Sequence, residues 1–159
     1  MLENLVGENI ENYYEYVREN DLALTHTLVN VRRSKSFASE VKGDELGLHL
    51  VRETDAGIIV KGARILATLA PISDELLVFP SSVVRTDPNS EQYALAFALP
   101  CGTEGLKFFC RESLDIGRSS FDHPLGSQFD ESDAIVIFDD VLVPWERVFI
   151  LNDVELANQ

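Results

Sequence analysis

Residues 57–78 read GIIVKGARILATLAPISDELLV, and the fold turns on how this stretch divides. Ile58, Ile59 and Val60 are β-branched and sit between Gly57 and Gly62, which marks a strand. Leu76, Leu77 and Val78 form a second apolar run after the break at Pro71, Ser73 and Asp74. The stretch therefore reads as strand, turn and strand. Between the two runs, Arg64-Ile65-Leu66-Ala67-Thr68 places one hydroxyl among apolar side chains. A buried hydroxyl left without a partner costs about 1–3 kcal/mol, so Thr68 needs one. A neighbouring backbone carbonyl is the ordinary partner, and a bound ligand is the alternative.

Short strands continue on both sides of this stretch. Residues 46–52 alternate and pair with residues 57–63 through a turn at Glu53-Thr54-Asp55-Ala56-Gly57, a hairpin ending in Gly. Residues 79–84, 93–99, 106–111 and 134–138 are further apolar or β-rich runs, separated by polar turn clusters such as Thr86-Asp87-Pro88-Asn89-Ser90. Asp139-Asp140 and the residues up to Trp145 turn out of the last run, and residues 146–159 read as a helical or linker segment. Near the other end, residues 8–20 read as a helix, with Ile10, Tyr13, Tyr14 and Val17 at helical spacing. The pattern predicts a mainly β fold, a small, closed or nearly closed antiparallel β-barrel with a short N-terminal helix and a C-terminal tail. The boundaries expected are residues 1–20 for the helix, 21–145 for the barrel and 146–159 for the tail. Each fully buried Leu or Phe contributes roughly 1.5–3 kcal/mol, so about a dozen inward side chains suffice for a self-standing barrel.

Composition narrows the function. The 159 residues are 45% hydrophobic, enough for one ordinary core. No run of about 18 apolar residues is present and the N-terminus lacks a signal-like pattern, so a cytoplasmic location without membrane contact is expected. A net charge of −14 disfavours nucleic acid, which needs a basic face. The charge is unevenly spread. Residues 31–64 hold seven basic residues against five acidic, a local excess of +2 in an otherwise acidic chain. Such an island suits an anionic small ligand, and ordinary surface pairing accounts for it equally well. Cys101 and Cys110 are read as two reduced thiols without a catalytic part. His26, His49 and His123 lie far apart, with no i, i+4 ligand pair and no CxxC, so no metal site is expected. Neither a phosphate-binding GxxxxGK[ST] loop nor a GxSxG nucleophile elbow occurs.

His26, in Leu24-Thr25-His26-Thr27-Leu28, is the histidine that stands out. On its own, a histidine in an apolar segment is more often a core residue with a satisfied ring than a working one. The wider pattern supplies more. GARILAT followed by an Asp-containing apolar segment resembles the flavin-facing strand of the acyl-CoA dehydrogenase middle β-domain. GARILATLAPISDELLVFPS, YYEYVRENDLALTHTLVN, LPCGTEGLKFFCRES and FDHPLGSQFDESDAIVIFDDVLVPWERVF together resemble the 4-hydroxyphenylacetate 3-hydroxylase family, the large oxygenase component of two-component flavin monooxygenases.

That resemblance spans nearly the whole chain and implies a role for several residues. It implies a phenol ortho-hydroxylase that uses reduced FAD from a separate reductase, through a flavin C4a-hydroperoxide. His26 would contact the phenol hydroxyl of the substrate. Thr68 would be the flavin-side hydroxyl, and Arg33 and Ser34 would touch the cofactor. Relatives carry Asn-Pro-Gln before the Arg-Ser-Lys segment, whereas here Asn30 runs directly into Val31-Arg32. The family also has helical regions before and after this part, which complete the substrate site and build the contacts of a homo-oligomer. The 159 residues alone are therefore expected to be inactive, a β module needing a partner. The related 4-hydroxybutyryl-CoA dehydratases share the pattern but need cysteine and histidine ligands to an iron–sulfur cluster. Cys101 and Cys110 do not match those positions.

Overall fold

The computed structural model describes residues 2–31, 46–80, 91–113, 117, 119–126, 128 and 132–158. Its elements in chain order are α1 (Leu2–Glu19), β1 (Leu24–Thr27), β2 (Val29–Asn30), β3 (His49–Thr54), β4 (Gly57–Thr68), β5 (Glu75–Val78), β6 (Leu95–Pro100), β7 (Leu106–Cys110), β8 (Asp133–Pro144), β9 (Val148–Leu151) and α2 (Val154–Ala157). The mainly β class expected from the sequence holds. The closed antiparallel barrel is replaced, among the described residues, by two sheets packed face to face. One has the order β1-β5-β6-β9, and the other β2-β4-β8-β7 with β3 also on β4. The β1–β5 pair is parallel, with His26 opposite Leu77.

Alternation builds the core. Leu76, Val78, Leu95, Phe97 and Leu99 of the first sheet meet Ile58, Val60, Val136, Phe138, Val141 and Val143 of the second. The Phe97 and Phe138 rings cross the gap edge to face, 5.9 Å between centroids. The 57–78 stretch divides as its sequence suggests, with β4, a 3-10 turn over Ala70–Ile72, and β5. The hairpin between β3 and β4 also forms, closing at Thr54 and Gly57.

Strand β8 departs from expectation. Asp139-Asp140 does not end it, and pairing with β4 runs on to Pro144. Between the Val60–Val141 and Gly62–Phe138 pairs β4 advances two positions while β8 advances three, so a bulge absorbs the acidic pair. Asp140 takes φ 52° there. Lys61 and Lys107 meet Asp140 and Asp139 at 3.0 and 2.8 Å, and the Lys107 ammonium holds the Asp139 carboxyl below its usual range. A second bulge lies between Arg64 and Ala67 on β4, where Leu66 takes φ 67°.

The ends of the chain belong to the β layer as well. Val148–Leu151, read from sequence as helix or linker, is strand β9 on β6. Its Val148 and Phe149 are buried, and it extends the sheet beyond residue 145. Helix α1 covers the outer face of that sheet: Tyr13 packs with Ala96, Ala98 and Phe149, while Ile10 and Tyr14 stay exposed. Asn9 Nδ2 donates to the carbonyls of Trp145 and Val148 at 2.8 and 2.9 Å. Under Tyr13 lies Glu75, which is 2% exposed and accepts from Arg147 Nη1 at 2.7 Å and from the Tyr13 hydroxyl at 3.4 Å. Burial, and then the Glu75 charge, push the Tyr13 phenol up from its ordinary value.

Candidate functional site

The site is a corner where the two sheets meet. Strand β1, at the edge of the first sheet, is fastened to the end of β4 in the second by its own side chains. Thr25 Oγ1 donates to the Thr68 carbonyl at 2.6 Å, and Thr27 Oγ1 donates to the Ile65 carbonyl at 2.8 Å. Both threonines are buried, at 3% and 0% exposure. Because a strand alternates its faces, His26 between them points outward and is exposed. Its ring lies edge-on to Phe79, 6.5 Å between centroids. The start of β1 is fixed by Asp74, whose carboxylate accepts from the Ala23 amide at 2.8 Å.

Thr68 stands on the other flank. It lies opposite Asp133 of β8, and its hydroxyl donates to the Asp133 carboxylate at 2.7 Å. The sequence suggested a backbone carbonyl as the ordinary partner, but the β4–β8 register supplies a carboxylate. Directly opposed residues share a face. Thr68 and Asp133 therefore line the outer face of the second sheet, together with the Phe109–Ile135 pair. Phe109 is 72% exposed and Ile135 43%, so this face is an apolar shelf beside a hydroxyl–carboxylate pair.

The structure thus joins the strands that carry His26 and Thr68 and turns the two side chains to different outer faces. Arg33 and Ser34 lie outside the described residues. No group of three or more His, Cys, Asp or Glu is placed to hold a metal among the described residues. Cys101 and Cys110 are free thiols, and no described helix is long and apolar enough to cross a membrane.

Several residues of this corner escaped the sequence reading. Thr25 and Thr27 were visible only as part of an apolar run, although Thr-His-Thr in a strand already sets both hydroxyls on one face and the imidazole on the other. Arg64 belongs to the basic island of residues 31–64, for which the sequence suggests either an anionic ligand or ordinary surface pairing. It is instead 0% exposed, opposite Val136 and pointing between the sheets. Its Nη1 donates to the Leu28 carbonyl at 2.8 Å, while Nε and Nη2 have no partner. Burial pulls its guanidinium down to about 10. Asn30, its cross-strand neighbour, likewise keeps an unpartnered, buried Oδ1.

Comparison with known proteins places the chain in a family. Residues 2–150 match the family described as 4-hydroxyphenylacetate 3-hydroxylase N terminal. The chain is 50% identical over 156 residues to the 4-hydroxyphenylacetate 3-monooxygenase oxygenase component of Geobacillus sp. (strain PA-9), covering 98% of this chain and 32% of that one. It is 53% identical over 153 residues to the protein of the same name from Thermus thermophilus, covering 96% and 31%. It therefore spans about a third of the length of these curated relatives. Among solved structures, an oxygenase component of 4-hydroxyphenylacetate 3-monooxygenase complexed with FAD and 4-hydroxyphenylacetate superposes with a TM-score of 0.81 at 50% identity, covering 98% of this chain and 33% of that one. An archaeal 4-hydroxybutyryl-CoA dehydratase from N. maritimus shares the fold at a TM-score of 0.79 and 22% identity. With sequence and overall fold in agreement, the chain belongs to the 4-hydroxyphenylacetate 3-hydroxylase family, of which it carries the part matched by the N-terminal model.

Proposed function

We propose that this chain forms the flavin- and phenol-facing β layer of a reduced-FAD-dependent monooxygenase. Its substrate is a phenolic acid of the 4-hydroxyphenylacetate type, hydroxylated ortho to the phenol hydroxyl. The observation that carries the reading is the family match over residues 2–150. The corner geometry supports it. The apolar shelf of Phe109 and Ile135 suits the flat face of a tricyclic ring, and the Thr68–Asp133 pair offers polar atoms at its edge. The bound flavin would supply the activated oxygen, delivered in reduced form by a separate reductase.

The chain's own part is to orient the reactants and exclude water. A threonine hydroxyl has one proton to give. In Thr68 that proton is committed to Asp133, so toward a cofactor Thr68 acts as an acceptor, suited to a ring N–H. His26 is exposed and framed by two buried threonines, so its imidazole is free to hold a phenol hydroxyl and draw its proton, which enriches the ortho carbon. Arg33 and Ser34 complete the cofactor contacts in this proposal. The reading also includes a homo-oligomer, a cytoplasmic location and helical regions that close the site. By the same reasoning, the 159 residues alone do not turn over.

The test uses the product of the complete reading frame, with a flavin reductase, NADH and 4-hydroxyphenylacetate. The expected product is the catechol. His26→Ala should lower the hydroxylation rate by about 10²–10⁴, the usual range for losing a positioned acid–base group, while FAD affinity stays unchanged. Equal loss of hydroxylation and FAD binding would return His26 to a structural role.

A further inference from the structure

We infer that Arg64 is a positioning residue, held inside the sandwich with Thr25 and Thr27 to fix the strand of His26 against the Thr68 end of β4. The inference rests on the oxygenase reading above.

Three observations carry it. A guanidinium has five N–H donors, and Arg64 satisfies only the one at the Leu28 carbonyl while fully buried beside Val136. No carboxylate among the described residues pairs with it, so within them it is a cation set among apolar core side chains with one hydrogen bond. An uncompensated buried charge opposes folding, and an apolar side chain of similar volume is commonly as stable or more so. Its single bond, however, falls at a telling place. Leu28 is the residue between β1 and β2, two positions past His26, and the Thr25–Thr68 and Thr27–Ile65 bonds lie just before it. Three side chain-to-backbone bonds thus fasten the four-residue stretch 25–28, which includes His26, to residues 64–68 at the end of a single strand.

Backbone pairing alone does not hold this junction. β1 pairs with β5 in the other sheet, and among the described residues β2 adds the short Val29–Asn30 pairing to β4, followed by a long 3.5 Å bond from the Val31 amide to the Ala63 carbonyl. The separation between the imidazole and the Thr68 flank is therefore set by the two hydroxyls and the guanidinium. A displacement near 1 Å at a reacting group can cost about 10²-fold in rate, so these bonds matter more to geometry than to stability.

The test compares Arg64→Met, Thr27→Val and Thr27→Ser in the complete reading frame with its reductase. It reads the urea midpoint and the ratio of catechol formed to reduced FAD oxidised. Arg64→Met should leave the midpoint unchanged or raised, and lower the product ratio about tenfold, with the lost oxygen appearing as hydrogen peroxide. Thr27→Val should lower the ratio similarly, and Thr27→Ser, which keeps the hydroxyl, should restore it. A wild-type ratio in both Arg64→Met and Thr27→Val overturns the inference while leaving the oxygenase reading intact. Failure of Arg64→Met to fold overturns the claim that the charge is kept against stability, and the Thr27 pair then decides positioning alone. Absence of catechol from the unmodified protein overturns the oxygenase reading itself, and this inference with it.

Discussion

The ion pair beneath α1 gives the sharpest stability prediction. Glu75 is 2% exposed, and its carboxylate is held by Arg147 Nη1 at 2.7 Å with the Tyr13 hydroxyl, at 3.4 Å, as a second donor among the described residues. The Arg147 side chain is 19% exposed and lies over the rings of Tyr13 and Tyr16, 5.2 and 4.8 Å from their centroids. The two partners are therefore unequal. Arg147→Met strips the counter-charge from a carboxylate that cannot reach water, which costs about 3–5 kcal/mol. Two cation–π contacts go with it, about 0.5–1 kcal/mol each, partly replaced by methionine packing. Glu75→Gln keeps the shape and leaves a guanidinium that can turn to solvent, so about 1–2 kcal/mol is expected. Urea unfolding of the chain, followed by circular dichroism, measures both. With a slope of about 2 kcal/mol/M, Arg147→Met should move the midpoint down by about 2 M and Glu75→Gln by less than about 1 M. Equal losses, or a Glu75→Gln loss larger than that of Arg147→Met, would refute the reasoning that burial of the carboxylate dominates.

Three further outcomes follow from local geometry and burial. A Cβ on Gly62, where φ is +123°, would lie 2.3 Å from the Gly47 carbonyl oxygen, so Gly62→Ala should cost about 2–4 kcal/mol in the same unfolding assay, whereas Gly7→Ala, in open space on α1, should be neutral or stabilising. Burial, followed by the charges of Glu75 and Asp74, pushes the Cys101 thiol from 9.0 up to about 11, while Cys110 is exposed. Iodoacetamide at pH 8 should therefore modify Cys110 well before Cys101, as mass spectrometry of the peptides would show. The sign of the pH effect follows. The folded state keeps the Cys101 proton after the unfolded chain has lost it, so this group's contribution to stability is full below pH 9 and is lost as the pH rises toward 11. Cys101→Ser should flatten that part of the alkaline stability curve.

Much of the fold was legible because β-branched runs, Gly and Pro punctuate it. The 57–78 stretch gave two strands and a turn at the right places, and the β3–β4 hairpin followed from alternation and its closing Gly. Asp139-Asp140 misled because an acidic pair looks like a turn, whereas a bulge and two lysines on neighbouring strands hold it inside β8. Val148–Leu151 misled because four residues after a Pro-Trp turn carry no period, and only pairing with β6 makes them a strand. The closed barrel failed because β1 joins the first sheet in parallel and reaches the second through hydroxyls, a linkage that periodicity does not encode. At the site, the resemblance pointed to His26 and Thr68. It gave no sign that the Thr68 hydroxyl donates to Asp133 or that Arg64 lies in the interior.

What the complete protein does with oxygen is the most direct test of this chemistry. Incubated with reduced FAD, 4-hydroxyphenylacetate and ¹⁸O₂, the product of the complete reading frame should yield a catechol carrying one ¹⁸O atom at the carbon ortho to the original hydroxyl. Its His26→Ala variant should consume the reduced FAD and release hydrogen peroxide instead. Consumption of reduced FAD by the unmodified protein with no labelled catechol would contradict the account.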